Sequence, residues 1–219
     1  MIIKGIPDWD KGVPRAVQLC ENYKLPLQIM EETEVRSLLN IEQTGKDLIS
    51  RFEDHFKGDD FEFLGTLLIR LALSKVATEL NTPYICTGLN LEDLHSEALS
   101  RISRQKNLKP LPKRQIGPHC LLFPLWLCPK KIIDGCFPKY SLENYEARYP
   151  CFSLGRTAYY QMTYAMQSQF PGMVEQQMKG FANLVKNDNH QYIMDKELGF
   201  LVEAEIPFPL KQKFLKMLR

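Results

Sequence analysis

The chain has 219 residues, a length that suits one large domain or two small ones and allows a hydrophobic core without metals or disulfides. Hydrophobic residues make up 44% and charged residues 25%, which is ordinary globular usage and excludes disordered and fibrous classes. The 28 basic and 26 acidic side chains give a net charge of +2, so no overall field indicates a nucleic-acid or membrane binder. Without a signal-peptide pattern or a run of ~20 apolar residues, we expect a cytosolic protein with no membrane partner.

The first thirty residues predict a β-α-β unit. Residues 2–6 favour a strand that Pro7 ends, residues 15–23 have helical apolar spacing, and residues 25–30 indicate a second, buried strand. A crossover through a helix joins parallel strands and is almost always right-handed. The sequence therefore predicts a parallel sheet.

Three helical patterns follow. Thr33 is predicted to cap a helix that runs to Leu39, and Thr44 to cap another that runs to Phe56. Residues 61–80 have the strongest helical pattern in the chain, with apolar side chains at spacings of three and four. We expect this helix to pack against a sheet or another helix in the core.

A short strand at residues 84–86 is predicted to lead through Thr87 and Gly88 into a helix that Asn90 caps and that extends to Ile102. In open α/β sheets, ligands bind at the carboxyl ends of the strands. Residues 87–97 are therefore where we expect the chemistry of this protein.

Residues 103–129 change in character and predict a basic, proline-rich connecting segment, because five prolines exclude a continuous helix there. Helices are predicted at 156–169 and 172–186, separated by the turn signal Pro171-Gly172. A hairpin of residues 191–194 and 200–205 and a final helix at 210–218 complete the chain.

These elements predict an α/β protein with a parallel sheet and flanking helices, followed by a mostly helical C-terminal region with a small hairpin. The corresponding division is 1–102 for the α/β region, 103–129 for the connecting segment and 130–219 for the helical region.

The turn after the predicted strand carries a cluster of polar groups: Asn90, Glu92, Asp93 and Glu97. Oxygen ligands of this kind suit Mg²⁺, and a glycine lets the backbone approach a ligand such as a ribose. The alternative is an ordinary helix start, enriched in acid by the helix dipole, with Glu92 and Asp93 solvated. His95 can orient a carboxylate or move a proton here, and its alternative is a surface histidine on a helix.

The stretch Gly88-Leu-Asn-Leu-Glu-Asp-Leu-His-Ser-Glu97 resembles a motif of the PP-loop ATP pyrophosphatases. This family includes tRNA-lysidine synthetase, tRNA thiolation enzymes, GMP synthetase and asparagine synthetase. The long helix before the motif and the opening β-α-β unit extend the resemblance over about residues 1–102.

The resemblance implies an α/β sheet that binds ATP and Mg²⁺, adenylates a substrate oxygen with loss of pyrophosphate, and lets an amine or sulfur displace AMP. It implies catalytic roles for Asp93 and Glu92, with Asp93 also a metal ligand, and nucleotide binding by Thr87, Gly88, Asn90 and Glu97. Cationic side chains would bind the substrate, a tRNA or a small molecule, and we assign this role to Arg101, Arg104, Lys113, Arg114 and Arg156.

The chain departs from the family because the Ser-Gly-Gly-x-Asp-Ser loop is absent and all 12 glycines are isolated. A fragment, a loop supplied by a partner protein, and a degenerate enzyme are the expected explanations, and we expect a partner protein or a homo-oligomer as the protein partner. The first alternative function is therefore a non-catalytic partner subunit that retains the fold. The second is an RNA-binding module that uses the basic residues 101–114 and the tyrosines 159, 160 and 164.

Six cysteines occur without a Cys-x-x-Cys pair or a histidine at zinc-finger spacing. We therefore expect buried or incidental thiols.

Overall fold

The computed structural model describes residues 1–6, 9–39, 48–56, 61–136, 154–185, 192–203 and 206–218. These residues form two compact units that are interleaved along the chain. The first contains the described residues up to 81 and from 192 onward, and the second contains the described residues of 82–136 and 154–185. Among the described helices, none combines the length and the apolar character that a membrane crossing requires.

The first unit opens with the predicted β-α-β arrangement. Strand β1 (Ile2–Ile3) pairs in parallel with β2 (Ile29–Met30), and helix α1 (Val13–Tyr23) connects them. Lys24 closes α1 in the left-handed conformation, with a φ of 52° and its N–H bonded to carbonyls of the last turn. The predicted parallel pairing is confirmed, although both strands are shorter than the apolar runs that predicted them.

The rest of the first unit consists of helices and a hairpin: α2 (Glu32–Ser37), α3 (Leu48–His55), α4 (Phe61–Glu79), the antiparallel strands β6 (Tyr192–Met194) and β7 (Leu201–Glu203), and α9 (Phe208–Leu218). The predicted cap at Thr33 is wrong. Glu31 is the N-cap of α2 and forms a capping box with Glu34, which exchanges side-chain and backbone hydrogen bonds with it. The predicted cap at Thr44 lies outside the described residues.

Helix α4 supplies the centre of the first core, as its apolar pattern predicts. Leu64, Leu68 and Ala72 are fully buried, and they belong to one cluster with Ile3 and Met30 of the β1–β2 pair. Phenylalanines extend that cluster: Phe52 stacks on Phe56 at 4.7 Å, and Phe214 packs against Phe56 at 5.0 Å.

The second unit contains β3 (Tyr84–Cys86), α5 (Leu91–Ser103), β4 (Lys113–Ile116), β5 (His119–Leu122), α6 (Lys130–Cys136), α7 (Leu154–Gln169) and α8 (Met173–Leu184). Strand β5 is central in a three-stranded sheet, parallel to β3 and antiparallel to β4. The predicted turn between α7 and α8 is confirmed at Gly172, where a φ of 85° favours glycine.

The proline-rich stretch 103–129 is more than the connecting segment that its composition predicts. It contains β4 and β5, and β5 pairs along its whole length with β4 and over three of its four residues with β3. The prolines exclude a helix, but Pro110, Pro112, Pro118, Pro124 and Pro129 all lie outside the two four-residue strands, where they remove no ladder hydrogen bond.

We predict that Leu68→Ala will lower the free energy of unfolding by about 2–5 kcal/mol, because Leu68 is fully buried in the first core and alanine leaves a cavity. Leu80→Ala is the matched control. Leu80 is 71% exposed just beyond α4, so its loss should cost less than about 0.5 kcal/mol. Urea denaturation of the three proteins measures this, and equal stabilities would contradict the assignment of Leu68 to the core.

Candidate functional site

The turn at the carboxyl end of β3 combines open backbone with an unsatisfied hydroxyl group. The Thr87 N–H donates to the Leu122 carbonyl at 3.1 Å and so extends the pairing of β3 with β5. The Thr87 Oγ1 is buried and has no hydrogen-bond partner among the described residues. Gly88 is exposed, and a Cβ built there would meet nothing within 4 Å. Space and an unpaired polar atom are thus adjacent at the position where α/β sheets bind ligands.

Asn90 caps α5 as predicted. Its side-chain oxygen accepts the Asp93 N–H at 3.1 Å, and Asp93 Oδ2 accepts the Asn90 N–H at 3.0 Å. This reciprocal capping box satisfies two backbone donors at the helix start. Asp93 is therefore fixed in orientation by the backbone of its own turn.

Glu92 is buried, with an exposed fraction of 2%, so the interpretation as a solvated acid is wrong for this residue. Its carboxylate oxygens accept the Lys130 N–H at 2.9 and 3.1 Å, and Oε1 also accepts Gln167 Nε2 at 3.0 Å. Lys130 is the first residue of α6, whose N–H has no partner within its own helix. Glu92 thus holds the beginning of α6 against the beginning of α5.

Asp93 is half-buried and has a partner that the sequence did not predict. The hydroxyl of Tyr160, on α7, donates a hydrogen bond to Asp93 Oδ1. Tyr160, Thr163 and Gln167 follow one another at helical spacings of three and four, so the polar stripe they form was a usable signal. The sequence interpretation assigned the tyrosines of α7 to an RNA-binding module and did not predict this stripe.

His95 is fully buried, and its interpretation as a surface histidine is wrong. Its Nδ1 lies 2.8 Å from Thr163 Oγ1, and its Nε2 lies 2.9 Å from Oε1 of Gln177 on α8. The Thr163 hydroxyl also donates to the Tyr159 carbonyl at 2.9 Å. Burial lowers the pKa of His95, although the bond to Gln177 opposes this, and the ring is neutral at pH 7.

Glu97 lies one turn further along α5 and forms an ion pair with Arg114 of β4. The pairing is bidentate, at 2.8 and 3.1 Å, and Lys109 Nζ lies 3.6 Å from the same carboxylate. Arg114 also donates to the Pro110 carbonyl at 3.0 Å and lies over the ring of Phe123 at 4.7 Å. Burial opposes ionisation of Glu97, but the charges of Arg114 and Lys109 outweigh it and lower the pKa to about 2.

The five cationic residues assigned to substrate binding have different environments. Arg104 and Lys113 are exposed, whereas Arg114 has an exposed fraction of 9% because of its ion pair. Arg101 is half-buried and donates to the Asn107 carbonyl at 2.5 Å. Arg156 lies in α7, and its side chain is outside the described part of the chain. Of the four assigned residues whose side chains the structure describes, Arg104 and Lys113 are the exposed ones.

The five cysteines in the described ranges, Cys20, Cys86, Cys120, Cys128 and Cys136, are free thiols, and Cys86 and Cys136 are exposed. None of these five is fully buried, so of the two expected alternatives, buried or incidental thiols, the first is wrong for them. The described residues contain no group of three or more His, Cys, Asp or Glu side chains that could hold a metal ion.

The chain is similar to known proteins at the level of structure. No protein-family model matches the chain, and no curated protein matches it. Among solved structures, the chain is similar to the U34-tRNA thiolase NcsA from Methanococcus maripaludis with its [4Fe-4S] cluster. The alignment covers 96% of this chain and 67% of that chain, with a TM-score of 0.60 and 17% sequence identity.

The chain has a nucleotide α-hydrolase-like fold. The fold that the motif at residues 88–97 implied is therefore confirmed. At 17% identity the similarity concerns the fold alone, and the phosphate-binding loop that characterises PP-loop enzymes is absent from the sequence.

A nucleotide with Mg²⁺ fits the donor set of the turn. Mg²⁺ keeps several waters and takes one or two protein carboxylates together with phosphate oxygens. Asp93 offers a half-buried carboxylate, while the Glu92 carboxylate is sealed in the interior. The Thr87 hydroxyl and the open backbone at Gly88 are available to the nucleotide itself.

The Glu97–Arg114 ion pair predicts a specific acid dependence of stability. The pKa of Glu97 is about 2 in the folded protein against an ordinary value of 4.5, so the pair contributes fully above pH 4.5 and its contribution falls as the pH drops toward 2. Glu97→Gln should remove this part of the pH dependence and lower stability at pH 7 by about 1–3 kcal/mol, because Arg114 loses its partner.

Urea denaturation at pH 7, 4.5 and 2.5 measures both effects. Glu21→Gln, on the exposed surface of α1, is the control and should change stability by less than about 0.5 kcal/mol. If Glu97→Gln kept the pH dependence of the wild type, the ion pair would not be a source of stability.

Proposed function

We propose that this protein takes part in ATP-dependent modification of tRNA, with the adenine nucleotide bound at the carboxyl end of β3. Two findings support the proposal. The fold is similar to that of a U34-tRNA thiolase, and the turn after β3 has the space and the polar groups that a nucleotide requires.

The observation that carries the proposal is the unpartnered Thr87 hydroxyl beside Gly88. A buried hydroxyl without a hydrogen bond costs about 1–3 kcal/mol, and folded proteins rarely retain one without a reason. A ribose hydroxyl or a phosphate oxygen placed against Gly88 would supply the missing partner. The cost in the free protein would then be recovered when the ligand binds.

The reaction that fits is adenylation. An oxygen of the substrate base attacks the α-phosphorus of ATP, the bond to the β-phosphate breaks, and pyrophosphate leaves. A sulfur or amine nucleophile then displaces AMP from the activated carbon. Bound Mg²⁺ would neutralise the charge that develops on the phosphates.

We assign different roles in this reaction to the residues of the turn and of α5. Thr87 and Gly88 would contact the nucleotide, and Asn90 holds the Asp93 carboxylate through the capping box so that it can face the cation. Glu92 would contribute indirectly, by fixing α6 beside the turn. Glu97 is engaged with Arg114, so we propose that it positions β4 relative to α5 and does not contact the nucleotide.

Thr87→Val tests the nucleotide site, because it should maintain or raise the stability of the free protein and lower its affinity for Mg²⁺–ATP. Valine has nearly the same shape without the hydroxyl, so the free protein should be as stable as the wild type or more stable by up to about 1 kcal/mol. The affinity for Mg²⁺–ATP should fall roughly fivefold to tenfold, because the ligand loses one hydrogen bond. Calorimetric titration and thermal unfolding measure the two quantities.

Thr66→Val is a matched control, because it removes a threonine hydroxyl from the exposed side of α4. Asp93→Asn is the companion variant. Asparagine keeps an acceptor for the Asn90 N–H, so α5 should form normally while Mg²⁺-dependent nucleotide binding is lost. Unchanged affinity in both Thr87→Val and Asp93→Asn would reject this location of the site.

The tRNA part of the proposal depends on the exposed cations Arg104 and Lys113. Each phosphate that a cation neutralises releases counterions, so replacing both residues with glutamine should reduce the slope of log affinity against log salt by about one for each cation that binds a phosphate. Binding of tRNA between about 50 and 200 mM salt measures the slope. Lys179→Gln, exposed on α8, is the control, and an equal change in the control would contradict a specific role for the pair.

A second candidate is a non-catalytic partner subunit that retains the fold. It is favoured by the absence of the phosphate-binding loop and by the structural use of the Glu92 carboxylate. Binding of tRNA without any binding of Mg²⁺–ATP at millimolar concentration would favour this candidate. Binding of Mg²⁺–ATP by the isolated chain would favour the first.

A further inference from the structure

Helix α7 presents a polar stripe to α5. Tyr160, Thr163 and Gln167 are spaced by three and four residues, which places them on one side of the helix. These residues contact, in turn, Asp93, His95 and Glu92. The two acids at the start of α5 are therefore both bonded to α7.

The three contacts differ in their access to solvent. Glu92 and His95 have exposed fractions of 2% and 0%, so their bonds to α7 are sealed in the interior. Asp93 is half-buried at the helix start, beside the turn that contains Gly88. Of the three contacts, the one between Tyr160 and Asp93 is the one that a ligand at this turn can reach.

We propose that Tyr160 belongs to the nucleotide site and that its hydroxyl competes with the cation of Mg²⁺–ATP for Asp93 Oδ1. This inference rests on the proposed function, because it requires that a nucleotide with its cation binds at the turn after β3. Under this proposal, α7 responds to binding of the nucleotide.

The competition follows from the chemistry of the carboxylate. The Tyr160 O–H places a partial positive charge on Oδ1, and Oδ2 already accepts the Asn90 N–H of the capping box. A cation that takes the lone pair of Oδ1 that holds the hydroxyl hydrogen must displace this hydrogen. Hydrogen bonds to ionised acceptors are among the stronger ones in proteins, so this displacement opposes binding.

The remaining contacts determine how far α7 responds. Thr163 and Gln167 keep their bonds to His95 and Glu92, so the C-terminal half of α7 stays anchored. The Tyr160 ring stacks near Tyr164 with a centroid distance of 6.3 Å, which holds the ring in place when the hydroxyl is absent. Release of Asp93 should therefore loosen the N-terminal half of α7 and leave the rest of the helix in place.

Tyr160→Phe tests the competition, because it removes the hydroxyl and keeps the ring. We expect the variant to bind Mg²⁺–ATP roughly tenfold more tightly than the wild type in calorimetric titration. In excess EDTA, where no cation reaches Asp93, both proteins should bind ATP alike. Tyr159→Phe is the matched control: it removes a neighbouring hydroxyl that makes no hydrogen bond among the described residues, and it should change neither affinity.

Hydrogen exchange on the wild-type chain gives a readout that needs no variant. Addition of Mg²⁺–ATP should speed amide exchange in residues 158–162 relative to residues 166–169, and ATP in EDTA should not. Slower or unchanged exchange in residues 158–162 would overturn the proposal, as would a Tyr160→Phe protein that folds and binds Mg²⁺–ATP no more tightly than the wild type. If the wild type binds Mg²⁺–ATP and these effects are absent, the proposed role of Tyr160 is rejected and the nucleotide site is not. If neither protein binds Mg²⁺–ATP, the proposed nucleotide site is rejected as well.

Discussion

The burial of polar side chains on α5 is the constraint on which the second unit depends. Glu92 and His95 are almost completely removed from water, and a buried carboxylate without hydrogen bonds would cost several kcal/mol. The Lys130 N–H, Gln167, Thr163 and Gln177 supply the partners. These partners come from the start of α6 and from α7 and α8. The hydrogen bonds of the buried side chains on α5 therefore fix where α6 begins and how α7 and α8 pack against α5.

This arrangement separates the two neighbouring acids of the motif. Glu92 points inward and its carboxylate bonds to the backbone of α6 and to Gln167, while Asp93 stays half-buried in its capping box with Asn90. Consecutive residues on a helix differ in direction by about 100°, so one acid can stabilise the fold while the next remains near solvent. A short acidic motif can therefore serve the architecture and a ligand at the same time.

Local signals made part of this fold predictable. The β-α-β unit, the Asn90 cap and the Gly172 turn depend on residues close in sequence, and all three are present in the structure. The failures depend on interactions that a local preference does not describe. The cap of α2 is at Glu31 and not at Thr33, because a reciprocal bond with Glu34 outweighs the ordinary preference for threonine, and β5 is stabilised by pairing with β3, which no local pattern of residues 103–129 reveals.

The contacts of the site were harder to predict than the fold, because the usual interpretation places polar helix residues in solvent. His95 fits that interpretation by sequence, yet it lies in the interior with bonds to two other helices. The polar stripe of Tyr160, Thr163 and Gln167 on α7 is its counterpart, and neither set is informative without the other. Two helices that carry apolar faces can also carry polar residues at helical spacing. Such residues indicate a shared buried network when the donors on one helix match the acceptors on the other in number. Here the acceptors on α5 meet donors on α7 at both acids, and that complementarity relates the acidic motif to a helix more than sixty residues away.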